Sequence, residues 1–446
     1  MTSMNPSIGL TQQDYENSET LAYADTDEDV TPGEIAVGVI IGRSSEYFDF
    51  FVFGIACVLV FPSLLFPYMS KLDGTLAAFA IFSLAFVARP VGTALSMAVQ
   101  RRWGRATKLT LALLLLGVCT VGMTFLPSFE AAGMKAVWAL VILRIGQGLA
   151  LGGSWDGLPS LLAMSAPQNK RGWYSMIGQL GAPLGFIIAA ALFAFLYSSL
   201  TADEFMSYGW RYPFCVAFAI NVVALFARLR LVVGQSYTQL LQERELEPIS
   251  VSSLMANEGR NVMIGAFAAL ASFALFHLVT VFPLSWISMY SNQSVTEVLV
   301  VQIIGALLAG AAMILSGWLA DRVGRRNTLG TMACLIGIFS FLAPWLLGSG
   351  STGNNVFILV GFVLLGLSYG QASGTVTSNF SSRYRYTGAA LSADMAWLIG
   401  AAFAPLVALG VSAKFGLVAL GIYLLSGALC TLAALGINRA IEARDQ

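Results

Sequence analysis

Residues 317–326 read Gly317-Trp318-Leu319-Ala320-Asp321-Arg322-Val323-Gly324-Arg325-Arg326, a short polar and basic turn between two long apolar runs. In the first half of the chain Trp103-Gly104-Arg105 stands in the matching place between two other apolar runs. A second signal repeats with it: Gly148-xxx-Gly152 recurs as Gly366-xxx-Gly370. Small residues four apart let helices pack backbone to backbone inside a bilayer. Two signals recurring in the same order mark an internal duplication. Parallel repeats of apolar helices point to a transporter architecture, with a site near the membrane midplane between halves that rock against each other.

Composition agrees. Of 446 residues 57% are hydrophobic and 11% charged, where a soluble domain carries about 25% charged residues. Apolar runs of about 20–27 residues, enough to cross ~30 Å of hydrocarbon, begin near 35, 76, 107, 136, 172, 211, 261, 296, 328, 354, 387 and 415. The fold class predicted is an all-α membrane protein of twelve transmembrane helices. The longest break, about 233–260, carries Gln242-Glu243-Arg244-Glu245 and reads as a cytoplasmic interdomain loop. It divides a six-helix bundle over 35–232 from another over 261–436, with a cytoplasmic tail at 437–446. Residues 1–34 are acidic, without Lys or Arg, and lack the basic and apolar regions of a signal peptide. They are expected to form a disordered cytoplasmic tail.

With both termini inside, Lys71, Lys135, Arg211 and Lys414 are the only cations outside, and Arg43, Arg89 and Arg144 lie within helices. The remaining seventeen of 24 Lys and Arg then fall on the cytoplasmic side, as the positive-inside rule requires. The expected location is a bacterial inner membrane, multi-pass. Formal net charge is zero, which says nothing for an anionic partner; nucleic acid is not expected. The five cysteines are scattered singly in apolar context and read as small core residues. No P-loop, catalytic triad or metal-ligand spacing is present, so neither an enzyme nor a cofactor or metal is expected. The expected partners are a small-molecule substrate, protons and the lipid bilayer, with the chain a monomer.

Inside the apolar runs stand Arg43, Arg89, Arg144, Glu46, Asp49, Asp156, Asp394 and the only histidine, His277. A charge near the bilayer centre costs roughly 2.5–3.5 kcal/mol on insertion scales, so such residues face a polar pathway or a partner. Arg43, Glu46 and Asp49 share an arc of helix one. They form either an Arg43–Glu46 pair that only eases insertion or a cavity-facing cluster in which Asp49 carries a proton or meets substrate. Counting 1.5 Å per residue puts Arg43, Glu46, Arg89, Asp156 and Asp394 in one layer near the cytoplasmic side. His277 could shuttle protons, bind substrate, or be a neutral hydrogen-bonding group. Gln179, Gln302, Tyr369, Gln371, Asn379 and Trp397 are candidate pathway residues.

These residues resemble the major facilitator superfamily, and within it the metabolite:proton symporter family, over nearly all of 35–436. Residues 317–326 are similar to the superfamily's cytoplasmic loop motif. Glu46-Tyr47-Phe48-Asp49-Phe50-Phe51 resembles the family's Glu-Trp-Tyr-Asp-Phe-Phe, and Ala88-Arg89-Pro90-Val91-Gly92 its Ala-Arg-Pro-x-Gly. Arg144-xx-Gln147-Gly148-xxx-Gly152-Gly153, Gln179-Leu180-Gly181-Ala182-Pro183-Leu184-Gly185 and Arg385-Tyr386-Thr387-Gly388 match helices four, five and eleven. The resemblance implies proton-driven uptake of small metabolites, mostly carboxylic acids and zwitterionic osmolytes. It implies Arg144 as the anion anchor, through its bidentate fork, against a purely structural pair with a helix-one acid. It also implies that Asp321 caps helix five near Gly172, and that Arg101, Gly104, Arg105, Asp321, Gly324 and Arg325 gate the cytoplasmic side.

Departures are specific. Arg101 occupies the carboxylate position of the first loop motif. The family's Gly-Gly-Glu-Trp-Gly-Gly reads Gly152-Gly153-Ser154-Trp155-Asp156-Gly157, and Arg43 and Asp394 stand where uncharged polar residues are expected. Asp394 therefore either forms a lock of reversed polarity, with Arg101 or Arg89 as its cation, or lines the cavity. Two rival functions follow: an exporter or uncoupled facilitator of the same fold, and a non-transporting membrane sensor.

Overall fold

A computed structural model describes residues 32–154, 162, 166–233, 247–372 and 380–442. These are helical almost throughout. The spanning helices are α1 (Pro32–Leu59), α2 and α3 (71–103 and 105–124, the two arms of Lys71–Thr124), α4 (Met134–Gly153), α5 (Arg171–Ser199) and α6 (Tyr212–Val233). The second half follows with α7 (251–290), α8 (Val295–Val323), α9 (Arg325–Gly348), α10 (Gly350–Tyr369), α11 (382–415) and α12 (Leu417–Glu442). Among the described residues ten helices are long and apolar enough to cross a membrane. Splitting Lys71–Thr124 at Gly104 and adding the charge-bearing α1 gives twelve.

The turns explain the boundaries. Gly104 (φ 86°) and Gly324 (φ 87°) hold the left-handed backbone that separates α2 from α3 and α8 from α9, a conformation open to glycine at little cost. At the opposite side of the bundle Ser294 and Glu297 form a capping box at the start of α8. Thr201 and Glu204 form another on the loop after α5, and the Thr201 amide and hydroxyl hold the Glu204 carboxyl below its ordinary pKa. Large apolar side chains such as Leu111, Leu114 and Val118 are exposed along α3, which suits contact with hydrocarbon rather than water.

The duplicated glycines do the same work in both halves. A Cβ on Gly148 would lie 2.7 Å from the Ala85 Cα of α2, and one on Gly366 would lie 2.9 Å from the Ala309 Cα of α8. Thus α4 packs on α2, and α10 on α8, at backbone contact. The halves meet along two seams, α5 on α8 and α2 on α11.

Three helices are interrupted. Within α5, residues 178–180 form turns between Arg171–Ile177 and Gly181–Ser199. α7 comes in three pieces, broken near Ala269 and Val281. Pro283 removes the amide that would have bonded the Val279 carbonyl, and Gln302 Nε2 donates to Val279 and Thr280 oxygens instead at 3.0 and 2.6 Å. α11 holds a π-helical turn over Trp397–Ala401.

Ahead of the spanning part of α7, Ser250 caps a short polar helical segment by accepting from Ser253 N, and non-helical backbone at Glu258 (φ −131°, ψ 21°) separates the two. One expectation differs. Cys215 and Cys334 are exposed rather than packed in the core, as a lipid-facing surface allows.

Candidate functional site

On the side of the Gly104 and Gly324 turns, the buried charges form two clusters. Glu46 accepts from Arg43 Nη1 at 3.0 Å, Arg228 Nη1 at 2.9 Å and Ser154 Oγ at 2.9 Å. Arg228 Nη2 also donates to the Ser154 carbonyl. This clamp ties α1 to the end of α4 and to α6, all within the first half. A Cβ on Gly42 would come within 3.0 Å of Arg228 Cδ, so the glycine leaves room for the arginine to cross α1. The second cluster joins the halves: Arg89 Nε donates to Asp394 Oδ1 at 2.6 Å, and Thr93 Oγ1 donates to Asp394 Oδ2. Both side chains of this pair are buried. Removing one member of such a pair costs about 3–5 kcal/mol, because a naked charge stays behind.

Asp49 lies apart from both clusters, although it shares a face of α1 with Glu46. Its oxygens accept from Thr120 Oγ1 at 2.9 Å and Gln147 Nε2 at 3.1 Å. Gln147 Oε1 in turn accepts from Arg144 Nη1 at 3.0 Å. Arg144 and Asp49 are therefore joined through an amide rather than by direct contact, and among the described residues no cation lies within ion-pair distance of Asp49. The Arg144 guanidinium is held over the Phe53 ring at 4.0 Å and the Phe82 ring at 4.9 Å, with Nε donating to the Phe82 carbonyl. Arg144 is 1% exposed, yet its Nη2 has no partner.

His277 is wholly buried on α7, and neither ring nitrogen has a partner. It stacks on Phe50 at 5.2 Å and meets Phe82 edge-on at 5.3 Å. Around it Phe86 lies parallel to Trp397 (17°, 5.7 Å), and Phe276 packs on Trp397 and Tyr369. The Tyr47 and Tyr369 hydroxyls meet across the halves. Between Arg43, Glu46, Phe50, Phe86, Arg89 and Trp397 remains a cavity of about 20 Å³, room for about one water molecule. Among the described residues the halves touch on both sides of the centre. Asp321 and Gln371 bridge the halves on one side, and Lys71 Nζ donates to the Ser288 carbonyl at 3.1 Å on the other.

The gate residues separate by role. Asp321 accepts from the Gly172 amide at 2.6 Å and the Trp173 amide at 3.2 Å, capping the start of α5. Gln371 donates to the Gly172 carbonyl at 3.2 Å, so it belongs to this seam and not to the central aromatic walls. Gly104 and Gly324 make the turns, with Arg105 and Arg325 following them. Arg101 is exposed, and Asp394 is met by Arg89. At the head of α11 the Tyr386 hydroxyl instead takes a hydrogen bond from buried Lys108 and donates to Gln100, at 3.3 and 3.2 Å. Gln179 is buried at the α5 break. Asp156 and Asn379 lie outside the described residues. Among the described residues no three His, Cys, Asp or Glu converge to hold a metal.

Arg228 and Lys108 count among the seventeen cytoplasmic-side cations in the sequence and are buried in the structure. A signal existed for Arg228. It lies two helical turns after Asn221, whose side chain accepts from Ser45 Oγ at 2.6 Å, so one polar face of α6 meets α1. Thr93, Thr120 and Gln147 carry no charge and were visible only as ordinary helix residues or motif members.

Residues 50–405 match the family profile described as "Major Facilitator Superfamily". The "Inner membrane metabolite transport protein YhjE" of Escherichia coli is 34% identical, covering 96% of this chain and 99% of that protein. The "Shikimate transporter" of the same species is 30% identical over 88% and 91%. A "Putative proline/betaine transporter" of Staphylococcus aureus is 26% identical over 84% and 81%. Among solved structures, the proton:xylose symporter XylE superposes with a TM-score of 0.68 at 18% identity, covering 91% of this chain and 94% of that one; at that identity the likeness concerns the fold.

Proposed function

The chain belongs to the major facilitator superfamily of transporters, and from that premise we propose that it takes up a small carboxylate-bearing metabolite together with protons. The proposed setting is a bacterial inner membrane with both termini in the cytoplasm, which the Lys and Arg distribution supports. The halves, 35–232 and 261–436, would rock about the centre and open it to each side in turn.

One observation carries the carboxylate. Arg144 Nη2 and both His277 nitrogens are buried without partners beside the same Phe82 ring. An unmatched buried donor costs about 1–3 kcal/mol, a cost recovered when an acceptor arrives. A guanidinium fork fits a carboxylate. Glu46 is engaged by Arg43 and Arg228 and Asp394 by Arg89, and Asp49 reaches Arg144 only through the Gln147 amide, so the unpartnered donors are read as the place of a substrate anion. A relative named for shikimate, itself an acid, is consistent with this.

Asp49 is the proposed proton carrier. Its partners are a hydroxyl and an amide, so it can gain or lose charge without breaking a salt bridge. Glu46, held by two guanidiniums, is the proposed structural clamp of the first half. Gln147 would report the state of Asp49 to Arg144, which lets protonation and anion binding influence each other.

Calorimetry on the purified protein tests the anchor, using the acid that a thermal-shift screen of organic acids selects. Arg144→Lys keeps the charge and loses the fork; it should weaken binding at least about tenfold, or 1.4 kcal/mol, with the unfolding midpoint little changed. Wild-type affinity in Arg144→Lys and His277→Ala would remove the carboxylate from this place.

A further inference from the structure

Resting on the carboxylate-transport reading, we infer that the substrate is a monocarboxylate built on a flat, unsaturated ring, with the ring held between Phe86 and Trp397. The two side chains lie 17° from parallel with centroids 5.7 Å apart. They come from opposite halves, Phe86 from α2 and Trp397 from α11. A flat ring inserted between them needs about 7 Å, twice the carbon contact distance of roughly 3.5 Å. The two ring planes are no further apart than their 5.7 Å centroids, so the halves must part at this point to admit a ring.

The slot has an aromatic side and, toward the small cavity, a charged side of Arg43, Glu46 and Arg89. Phe50 closes one edge, 5.5 Å from Phe86 and 5.8 Å from Trp397. His277 sits 6.2 Å from Phe86 and 6.3 Å from Trp397, and Phe82 links it to Arg144. A ring in the slot thus points its carboxylate at the unpartnered donors. The guanidiniums beside the slot, Arg89 and Arg43, are held by Asp394 and Glu46, which leaves Arg144 as the anchor and hence one carboxylate.

The backbone supplies an independent sign that this wall belongs to a functional site. Trp397 opens the π-helical turn of α11, where the Ala402 amide reaches back to the Trp397 carbonyl at 2.8 Å. Such bulges concentrate at functional sites. Rings could also serve a quaternary ammonium group. Two near-parallel faces suit a flat body better than a round one, and among the described residues the carboxylates lining the cavity beside the slot or paired to it, Glu46 and Asp394, are held by arginines.

Calorimetry on the full-length protein in detergent should use five probes: benzoate, butyrate, succinate, glycine betaine and xylose. Benzoate is expected to bind at least about tenfold tighter than butyrate, or 1.4 kcal/mol. Trp397→Leu should abolish that preference, with butyrate binding unchanged. Trp397→Phe should keep most of it, and Phe86→Leu gives a second measurement should Trp397→Leu fold poorly. Equal or tighter binding of butyrate, succinate or betaine overturns the ring slot but leaves the carboxylate reading standing if Arg144→Lys weakens it. Binding of xylose alone, or of no probe, counts against both. A benzoate preference that survives in Trp397→Leu and Phe86→Leu places the ring elsewhere and overturns the slot.

Discussion

The two seams between the halves are built differently. Along α5 and α8, near the Gly104 and Gly324 turns, Asp321 caps the first amides of α5 and glycines bring the backbones together. A Cβ on Gly172 would lie 2.7 Å from the Ala320 Cβ, and one on Gly317 would lie 2.8 Å from Met176 Cγ. Along α2 and α11 a buried ion pair, Arg89–Asp394, with Thr93 on the second carboxylate oxygen, is joined by two neutral hydrogen bonds, from Ser83 Oγ to the Ala402 carbonyl at 2.8 Å and from the Tyr386 hydroxyl to Gln100 at 3.2 Å. The first seam gains a little from each of several contacts. The second adds to its hydrogen bonds one buried pair that must stay whole, beside the aromatic centre. A hinge and a latch would differ in this way, with α5–α8 flexing and α2–α11 opening.

The largest effect is expected at the latch. Arg89→Ala or Asp394→Ala should each destabilise the closed state by about 3–5 kcal/mol, since each strands a buried charge. The Arg89→Asp, Asp394→Arg double variant should recover part of both stability and transport. A double-mutant cycle by thermal unfolding in detergent checks this; strict additivity would mean that the pair does not latch. Gly172→Ala comes next, at about 1–3 kcal/mol for overpacking the hinge. It should slow transport without altering substrate affinity, and unchanged rates would mean that the seam has room to spare.

Asp321→Asn should cost less, about 1 kcal/mol, because an amide oxygen still accepts one of the two hydrogen bonds but loses the charge favoured at a helix start. Cysteine accessibility on the turn side should rise in this variant; a wild-type pattern would separate the cap from gating. The smallest effect belongs to Arg101→Ala. The residue is exposed, so stability should hold within about 0.5 kcal/mol and transport should persist. A large transport loss would return Arg101 to the latch.

The spans were legible because a bilayer imposes length and apolarity, and the duplication because glycine is required where Gly104 and Gly324 turn and where Gly148 and Gly366 touch a neighbouring helix. The short capped helical segment ahead of Glu258 was not, since its polar residues look like loop. Within the site, charges inside apolar runs announced themselves. Those at helix ends did not: Arg228 and Lys108 look like cations that set orientation until tertiary packing buries them. Which cation meets Asp394 is likewise a matter of depth and rotation between α2 and α11, on which spacing is silent. The aromatic slot draws its rings from α1, α2, α7 and α11, and no stretch of sequence displays it.

Everything proposed for the centre turns on Asp49 carrying the proton while Arg144 holds the anion. The direct measurement is transport in proteoliposomes by Asp49→Asn, comparing substrate exchange at equal pH with accumulation driven by an imposed proton gradient. Asparagine still accepts from Thr120 and imitates the protonated acid. Exchange should therefore continue near the wild-type rate, and gradient-driven accumulation should be lost. Accumulation that persists with its normal pH dependence would contradict the assignment of the proton to Asp49.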